Sequence, residues 1–178
     1  SENLNKACKE VNKPLLVFKR KSTFHKSNNF DYVSGLKDIK KEDVADKNIL
    51  LAIGSRYLIE TAEYYLSCGA NVFARILATP ESISKAFGSD IKNTNIAILH
   101  PSRKKENILE KKLCDFWGID YVLCRQSGSY SQEIWEKIVS ESKMKLFLVK
   151  RPRCINHNSL FFNNHDHLID HVIKFFGD

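Results

Sequence analysis

The absences in this 178-residue chain narrow it first. No apolar run approaches the roughly 20 residues of a membrane-spanning helix. The opening residues lack the pattern of a secretory signal. No internal repeat or low-complexity tract is present, and there is no C-x-x-C pair. The five cysteines, Cys8, Cys68, Cys114, Cys124 and Cys154, are odd in number and widely spaced. Settings such as Leu113-Cys114 and Leu123-Cys124 suit reduced core thiols of a cytoplasmic protein, not a disulfide frame. Neither G-x-G-x-x-G nor G-x-x-x-x-G-K-[ST] occurs, so both usual nucleotide fingerprints are missing. No Ser/His/Asp or Cys/His set is legible.

The composition, 43% hydrophobic and 28% charged, is that of an ordinary soluble globular chain. The net charge of +7 points to a polyanionic ligand or to nucleic acid. Its local runs are Lys19-Arg20-Lys21, Lys40-Lys41, Arg103-Lys104-Lys105 and Lys111-Lys112, each readable as a solvated face. No zinc-finger, RNA-binding or helix-turn-helix signature accompanies them. Charge is therefore the sole support for nucleic acid, and neither nucleic acid nor membrane is expected as a partner.

Periodicity supplies the fold. Leu4, Ala7, Cys8 and Val11 fall on one helical face, and Leu15 to Phe18 reads as a strand. Residues 22–47 are polar and read mostly as a linker or irregular crossover, with a short strand near Tyr32-Val33. From Asn48 strands and helices alternate. Strands are expected at Ile49 to Ile53, Val72 to Leu77, Asn95 to Leu99, Tyr121 to Cys124 and Leu146 to Val149. Helices are expected at Arg56 to Cys68, Pro80 to Phe87 with Thr79 as N-cap, Ser102 to Trp117, and Ser129 to about Ser142. A closing helix carries Leu168, Ile169, Val172, Ile173 and Phe176. In the third helix Leu109, Leu113, Phe116 and Trp117 are expected inward. Near-continuous apolar strands alternating with helices predict an α/β fold: a doubly wound, Rossmann-like parallel sheet of about five strands with helices on both faces. The expected division is 1–47, a remnant of an N-terminal lobe with its linker, and 48–178, a C-terminal α/β domain.

Parallel sheets bind ligands beyond the carboxyl ends of their strands. Those positions hold Gly54-Ser55-Arg56, His100-Pro-Ser-Arg103, Arg125-Gln126-Ser127-Gly128 and Lys150-Arg151-Pro-Arg153, while Arg75 lies inside a strand. Arginines at every strand end suit a ligand with several carboxylates or phosphates. For Arg75 the alternative is a buried ion pair with Glu60 or Glu63. The turn after Cys124 reads either as a plain loop or as an anion site made by free N–H groups at a helix start. Ser129 and Gln132 fit a capping box there. Cys124 reads as packing or, before Arg125, as an activated thiol. His167 and His171, at i and i+4, read as a solvated face or an adventitious metal pair, and no resident metal is expected.

Four stretches in this order and spacing resemble the precorrin-6A reductase family of corrin-ring (vitamin B12) biosynthesis. They are Asn5 to Arg20, Ile49 to Arg56, Phe73-Ala-Arg-Ile-Leu77 with Pro80-Glu81, and Ile119 to Gly128 with Leu148-Val-Lys-Arg-Pro152. Departures are Lys21 where a proline is usual, Arg125-Gln126 for Lys-Asn/Asp, and His100-Pro-Ser-Arg103 for a Gly-Pro-type turn. The family's opening strand with its Gly-Gly-Thr turn has no counterpart, so the likeness is to the C-terminal two-thirds of a member. The resemblance implies two α/β lobes, NADPH or NADH as hydride donor, and a tetrapyrrole polycarboxylate as substrate. It implies that the N-terminal lobe of the same protein is a missing partner, and that this chain alone turns over little. Gly54, Ser55, Arg56, Arg75, Arg125, Gln126, Ser127, Gly128 and Arg151 are the expected binding residues. No catalytic acid or base is legible, though Ser127 or His100 could relay a proton. The alternatives are a non-catalytic lobe that binds a tetrapyrrole or nucleotide, and a nucleic-acid protein.

Overall fold

The structure, a computed structural model, describes residues 2–18, 28–99, 108–151 and 159–176. Two compact units form, one from residues 1–23 with 152–178 and one from residues 24–151.

In the first unit, helix α1 (Glu2–Glu10) precedes strand β1 (Leu15–Phe18). A strand absent from the sequence reading, β8 (Ser159–Phe162), runs parallel to β1 and leads into helix α7 (His165–Phe176). Phe18 stacks on His165, while His171 packs between Phe162 and Phe175.

The second unit contains the five strands expected from Asn48 onward and the short one expected near Tyr32-Val33. They are β2 (Phe30–Val33), β3 (Asn48–Ala52), β4 (Asn71–Ile76), β5 (Ile96–Ile98), β6 (Tyr121–Arg125) and β7 (Lys145–Val149). All pair in parallel, in the order β2-β7-β6-β3-β4-β5. Between them run α2 (Lys41–Val44), α3 (Leu58–Ser67), α4 (Pro80–Phe87), α5 (Ile108–Trp117) and α6 (Tyr130–Ser140).

Side chains alternate between the two faces of a strand, so the apolar runs divide into two cores. Ile49, Leu51, Val72, Ala74, Leu123 and Phe147 pack with Leu58, Ala62 and Tyr65 of α3. Leu50, Phe73, Val122, Leu146 and Leu148 pack with Cys114 of α5 and Trp135 and Ile138 of α6. Residues 30–47 are no solvated linker. Phe30–Val33 forms an edge strand, Ile39 and Val44 are buried, and the Tyr65 hydroxyl donates to the Leu36 carbonyl at 2.7 Å.

Helix α5 packs Trp117 on the core as its apolar spacing suggests, but turns Leu109 and Phe116 outward. Leu109 and Phe116 are 56% and 84% exposed, while Glu110 and Cys114 are buried. Opposite it, in β4, lies the half-buried Arg75, and the buried Glu110 carboxylate supplies its anionic neighbour. The expected start of this helix, Ser102 to Asn107, lies outside the described residues. At α4 the Thr79 side chain accepts from the Ser82 N–H and Pro80 takes the first turn, as the sequence indicates.

Leu123→Ala removes a fully buried side chain from the central strand pair. It should cost about 2–5 kcal/mol in urea unfolding. Phe116→Ser, on the exposed face of α5, should stay within about 0.5 kcal/mol of the parent.

Candidate functional site

In an open parallel sheet a crevice forms where the strand order reverses, because neighbouring loops there leave over opposite faces. Here that point lies between β3 and β6. The chain leaves β3 for α3 over one face and leaves β6 for α6 over the other.

Beyond β3, Gly54 adopts φ 79° and ψ 172°. Only glycine enters that region without strain. A single 3-10 turn, Ser55–Tyr57, then enters α3. Ser55 Oγ accepts from Ser82 Oγ at 3.1 Å, which ties this turn to α4. Tyr57 is the meeting point of two cations. The Arg56 guanidinium lies 5.3 Å from its ring centre, and that of Arg125, at the end of β6, lies 5.4 Å away. Both arginines are exposed, and no carboxylate among the described residues pairs with either. Two guanidiniums around one ring repel each other unless an anion lies near them.

The loop beyond β6 behaves differently from the expected open anion nest. Gln132 Oε1 accepts from the backbone N–H groups of Ser127 and Gly128 at 2.7 and 2.8 Å. The N–H of Ser129 donates to Ser127 Oγ at 3.2 Å, and the Ser127 and Ser129 hydroxyls lie 2.6 Å apart. Ser129 is the N-cap of α6 but makes no side-chain cap bond, so the capping box does not form. A side-chain carbonyl thus occupies the place a ligand oxygen would take. Gln126 joins this loop to the end of β7. Its backbone carbonyl accepts from Arg151 Nε at 2.8 Å, and its Oε1 from the Arg151 N–H at 3.4 Å.

The structure therefore brings together Gly54, Ser55, Arg56 and Arg125, and joins Arg125 through Gln126 to Ser127, Gly128 and Arg151. Arg75 stands apart. It alternates with Phe73 on the α5 face, whereas Arg125 alternates with Leu123 on the α3 face. Arg75 Nη2 lies 3.7 Å from Glu110 Oε1, and its Nε has no hydrogen-bond partner. The ion-pair alternative thus describes Arg75, with Glu110 in place of Glu60 or Glu63. Burial lowers its pKa, and Glu110 partly offsets this. His100, Arg103 and Arg153 lie outside the described residues.

Over residues 1–173 the sequence matches the family described as precorrin-6x reductase CbiJ/CobK. The chain belongs to the precorrin-6x reductase family. A cobalt-precorrin-6A reductase of Synechocystis sp. (strain ATCC 27184 / PCC 6803 / Kazusa) is 31% identical over 110 residues, 61% of this chain and 41% of the relative. A solved structure titled CobK precorrin-6A reductase shares the fold with a TM-score of 0.71 at 14% identity, over 97% of this chain and 66% of that one. In these matches the chain spans about two-fifths of the curated relative and just under two-thirds of the solved chain.

Tyr57, Gln132 and Glu110 are the site-related residues that the sequence reading did not assign to these roles. Tyr57 follows Arg56 directly in the strand-end turn, so its neighbourhood was legible. Gln132 showed as a capping residue, but the spacing does not reveal which N–H groups it reaches. Glu110 was hidden beside the apolar stripe of α5.

Cys124 is no activated thiol in this family member: burial pushes its pKa up to about 12 despite the neighbouring positive charge of Arg125. Burial does the same to Cys114, also to about 12. A hollow of about 630 Å³ in the first unit is lined by Phe161, Phe162, Asn163, Asn164, His165 and His167 and contains none of the expected binding residues. Among the described residues no cluster of metal-ligating side chains occurs, and no helix is long and apolar enough to cross a membrane.

Two outcomes test this geometry. A Cβ at Gly54 meets no atom within 4 Å, so Gly54→Ala costs backbone strain alone. Its unfolding free energy should fall by about 1–3 kcal/mol. For the thiols, the unfolded chain ionises near 9.0 and the folded one near 12. Between these values the unfolded state binds fewer protons, so stability falls as pH rises from about 9 towards about 12. Urea unfolding at about pH 8 and about pH 10.5 should show the fall, and Cys124→Ala should reduce it.

Proposed function

We propose that the chain is the ring-holding part of an NAD(P)H-dependent reductase acting on precorrin-6A or cobalt-precorrin-6A in corrin-ring synthesis. The observation that carries this reading is the pair Arg56 and Arg125, gathered on Tyr57 at the strand-order reversal with no carboxylate partner among the described residues. Family membership supplies the reaction class, and the arginine pair supplies the reason a polycarboxylate ring would bind here. Each guanidinium can take a carboxylate in a planar fork. Tyr57 fixes their spacing, since its ring face attracts both cations.

The residues present also fit an anionic cofactor, with one restriction. Arg56, Arg125 and the hydroxyls of Ser127 and Ser129 can take a phosphate oxygen. The N–H groups of Ser127 and Gly128 cannot, because Gln132 already holds them. When bound, NAD(P)H supplies the hydride. The chain's own contribution is to bind and orient the ring against it. At this crevice the linked hydroxyls of Ser127 and Ser129 are the groups placed to hold or pass a proton.

Titration calorimetry with NADPH and with uroporphyrin, an octacarboxylate tetrapyrrole, tests the reading. Oxidation of NADPH by precorrin-6A measures turnover, and binding of both ligands without turnover assigns the chain a purely binding role. The guanidiniums are exposed, so Arg56→Ala or Arg125→Ala should each weaken uroporphyrin binding by about 1 kcal/mol, roughly fivefold. The loss should shrink at high salt, and lysine should recover only part of it. Arg75→Ala should leave affinity unchanged but lower stability by roughly 3 kcal/mol, because it strands the buried Glu110 carboxylate. Equal affinity in the parent and in all three variants would remove the ring from this crevice.

A further inference from the structure

The loop that carries Arg125 into the crevice is held by two side chains of α6 for which binding and catalysis have no direct use. Gln132 is 1% exposed, and its carbonyl accepts from the Ser127 and Gly128 N–H groups. A carboxamide can present its oxygen in either of two orientations, and only one serves this loop. The orientation is set one turn further along α6, where Gln132 Nε2 donates to Glu136 Oε1 at 2.6 Å. A carboxylate accepts but cannot donate, so Glu136 selects the amide nitrogen and sends the carbonyl to the loop.

The loop needs such a hold. Gln126, 6% exposed, has an Nε2 group that is buried without a hydrogen-bond partner. A buried orphan donor favours any rearrangement that would hydrate it. The two bonds from Gln132, directed by Glu136, keep residues 126–129 in place.

We propose that Glu136 and Gln132 are positioning residues: acting in series, they fix the loop after β6 and thereby the placement of Arg125 and Ser127 towards the ligand. This rests on the proposed crevice as the anion site. The chain of contacts runs from a buried carboxylate, through one carboxamide, to two backbone amides and then to an exposed guanidinium.

The test compares Glu136→Ala, Glu136→Gln and Gln132→Ala with the parent chain. Glutamine at 136 retains an acceptor oxygen and can rescue the contact, whereas alanine cannot. Amide hydrogen exchange at Ser127 and Gly128 reads the loop directly, uroporphyrin affinity reads its effect on the site, and thermal unfolding reports whether each variant folds. In Glu136→Ala and Gln132→Ala, exchange at the two amides should rise by about tenfold or more, equivalent to loss of one or two hydrogen bonds. Uroporphyrin affinity should fall by up to about fivefold, the loss expected of Arg125→Ala, and Glu136→Gln should stay within roughly twofold of the parent on both readings. Unchanged exchange in a folded Glu136→Ala overturns the serial hold. Faster exchange with unchanged affinity overturns its role in positioning. If the parent does not bind uroporphyrin, the crevice reading fails and the positioning role with it, while exchange still decides whether Glu136 directs Gln132. Should both alanine variants unfold, Glu136→Gln decides: loss of loop protection in that folded variant contradicts the acceptor role.

Discussion

Everything in the larger unit depends on β3 lying beside β6. The partners Ile49 and Tyr121 are separated by 72 residues, a distance that must be closed before any contact rewards the closure. The amino end of the pair is pinned by polar groups. The Asn48 N–H donates to the Asp120 carboxylate at 2.9 Å, and Asn48 Nδ2 donates to the Trp117 and Gly118 carbonyls. The carboxyl end, where no such pins occur among the described residues, is where the loops diverge and the arginines gather. Polar closure at one end and divergence at the other follow from the same register.

The pleat then sorts the arginines. Arg75 and Arg125 both sit near the ends of apolar strands, and in a linear string they look alike. One residue of phase sends Arg75 under α5 and Arg125 towards Tyr57. The first cation is half-buried and faces an internal counter-charge, Glu110, on a helix whose Phe116 faces out. The second remains in water and stays available. Pairing the Glu110 carboxylate inside offsets the cost of leaving Phe116 in water, since an unpaired buried charge costs more than an exposed phenylalanine.

Much of this was legible beforehand. Apolar runs such as Ile49 to Ala52 and Leu146 to Val149 could be little other than buried parallel strands, and Thr79-Pro80 marked a helix start. The arginines at the strand ends were visible as a set. What escaped depends on partners distant in sequence. Ser159 to Phe162 is a short apolar stretch after an Asn- and His-containing segment, and only its pairing with Leu15 to Phe18 makes it a strand. The short strand expected near Tyr32-Val33 is there, but that it starts at Phe30 and closes the sheet edge shows only when β7 lies beside it. Gln132 displays the residue type and spacing of a cap, yet its true acceptor role depends on how the turn at Gly128, with φ 57°, folds the loop back over it.

The pairing of β1 with β8 joins residues near the two ends of the sequence, with residues 24–151 enclosed between them. A chain emerging from the ribosome therefore presents the larger unit complete and contiguous before β8 exists. That unit can reach its native sheet during synthesis, as domains commonly do. Through that interval Leu15 to Phe18, an apolar segment, lacks β8 as a neighbour. Such segments are what chaperones recognise and what drives association between nascent chains. The order of assembly is thus written into the strand pairing: the crevice first, the two-stranded sheet last.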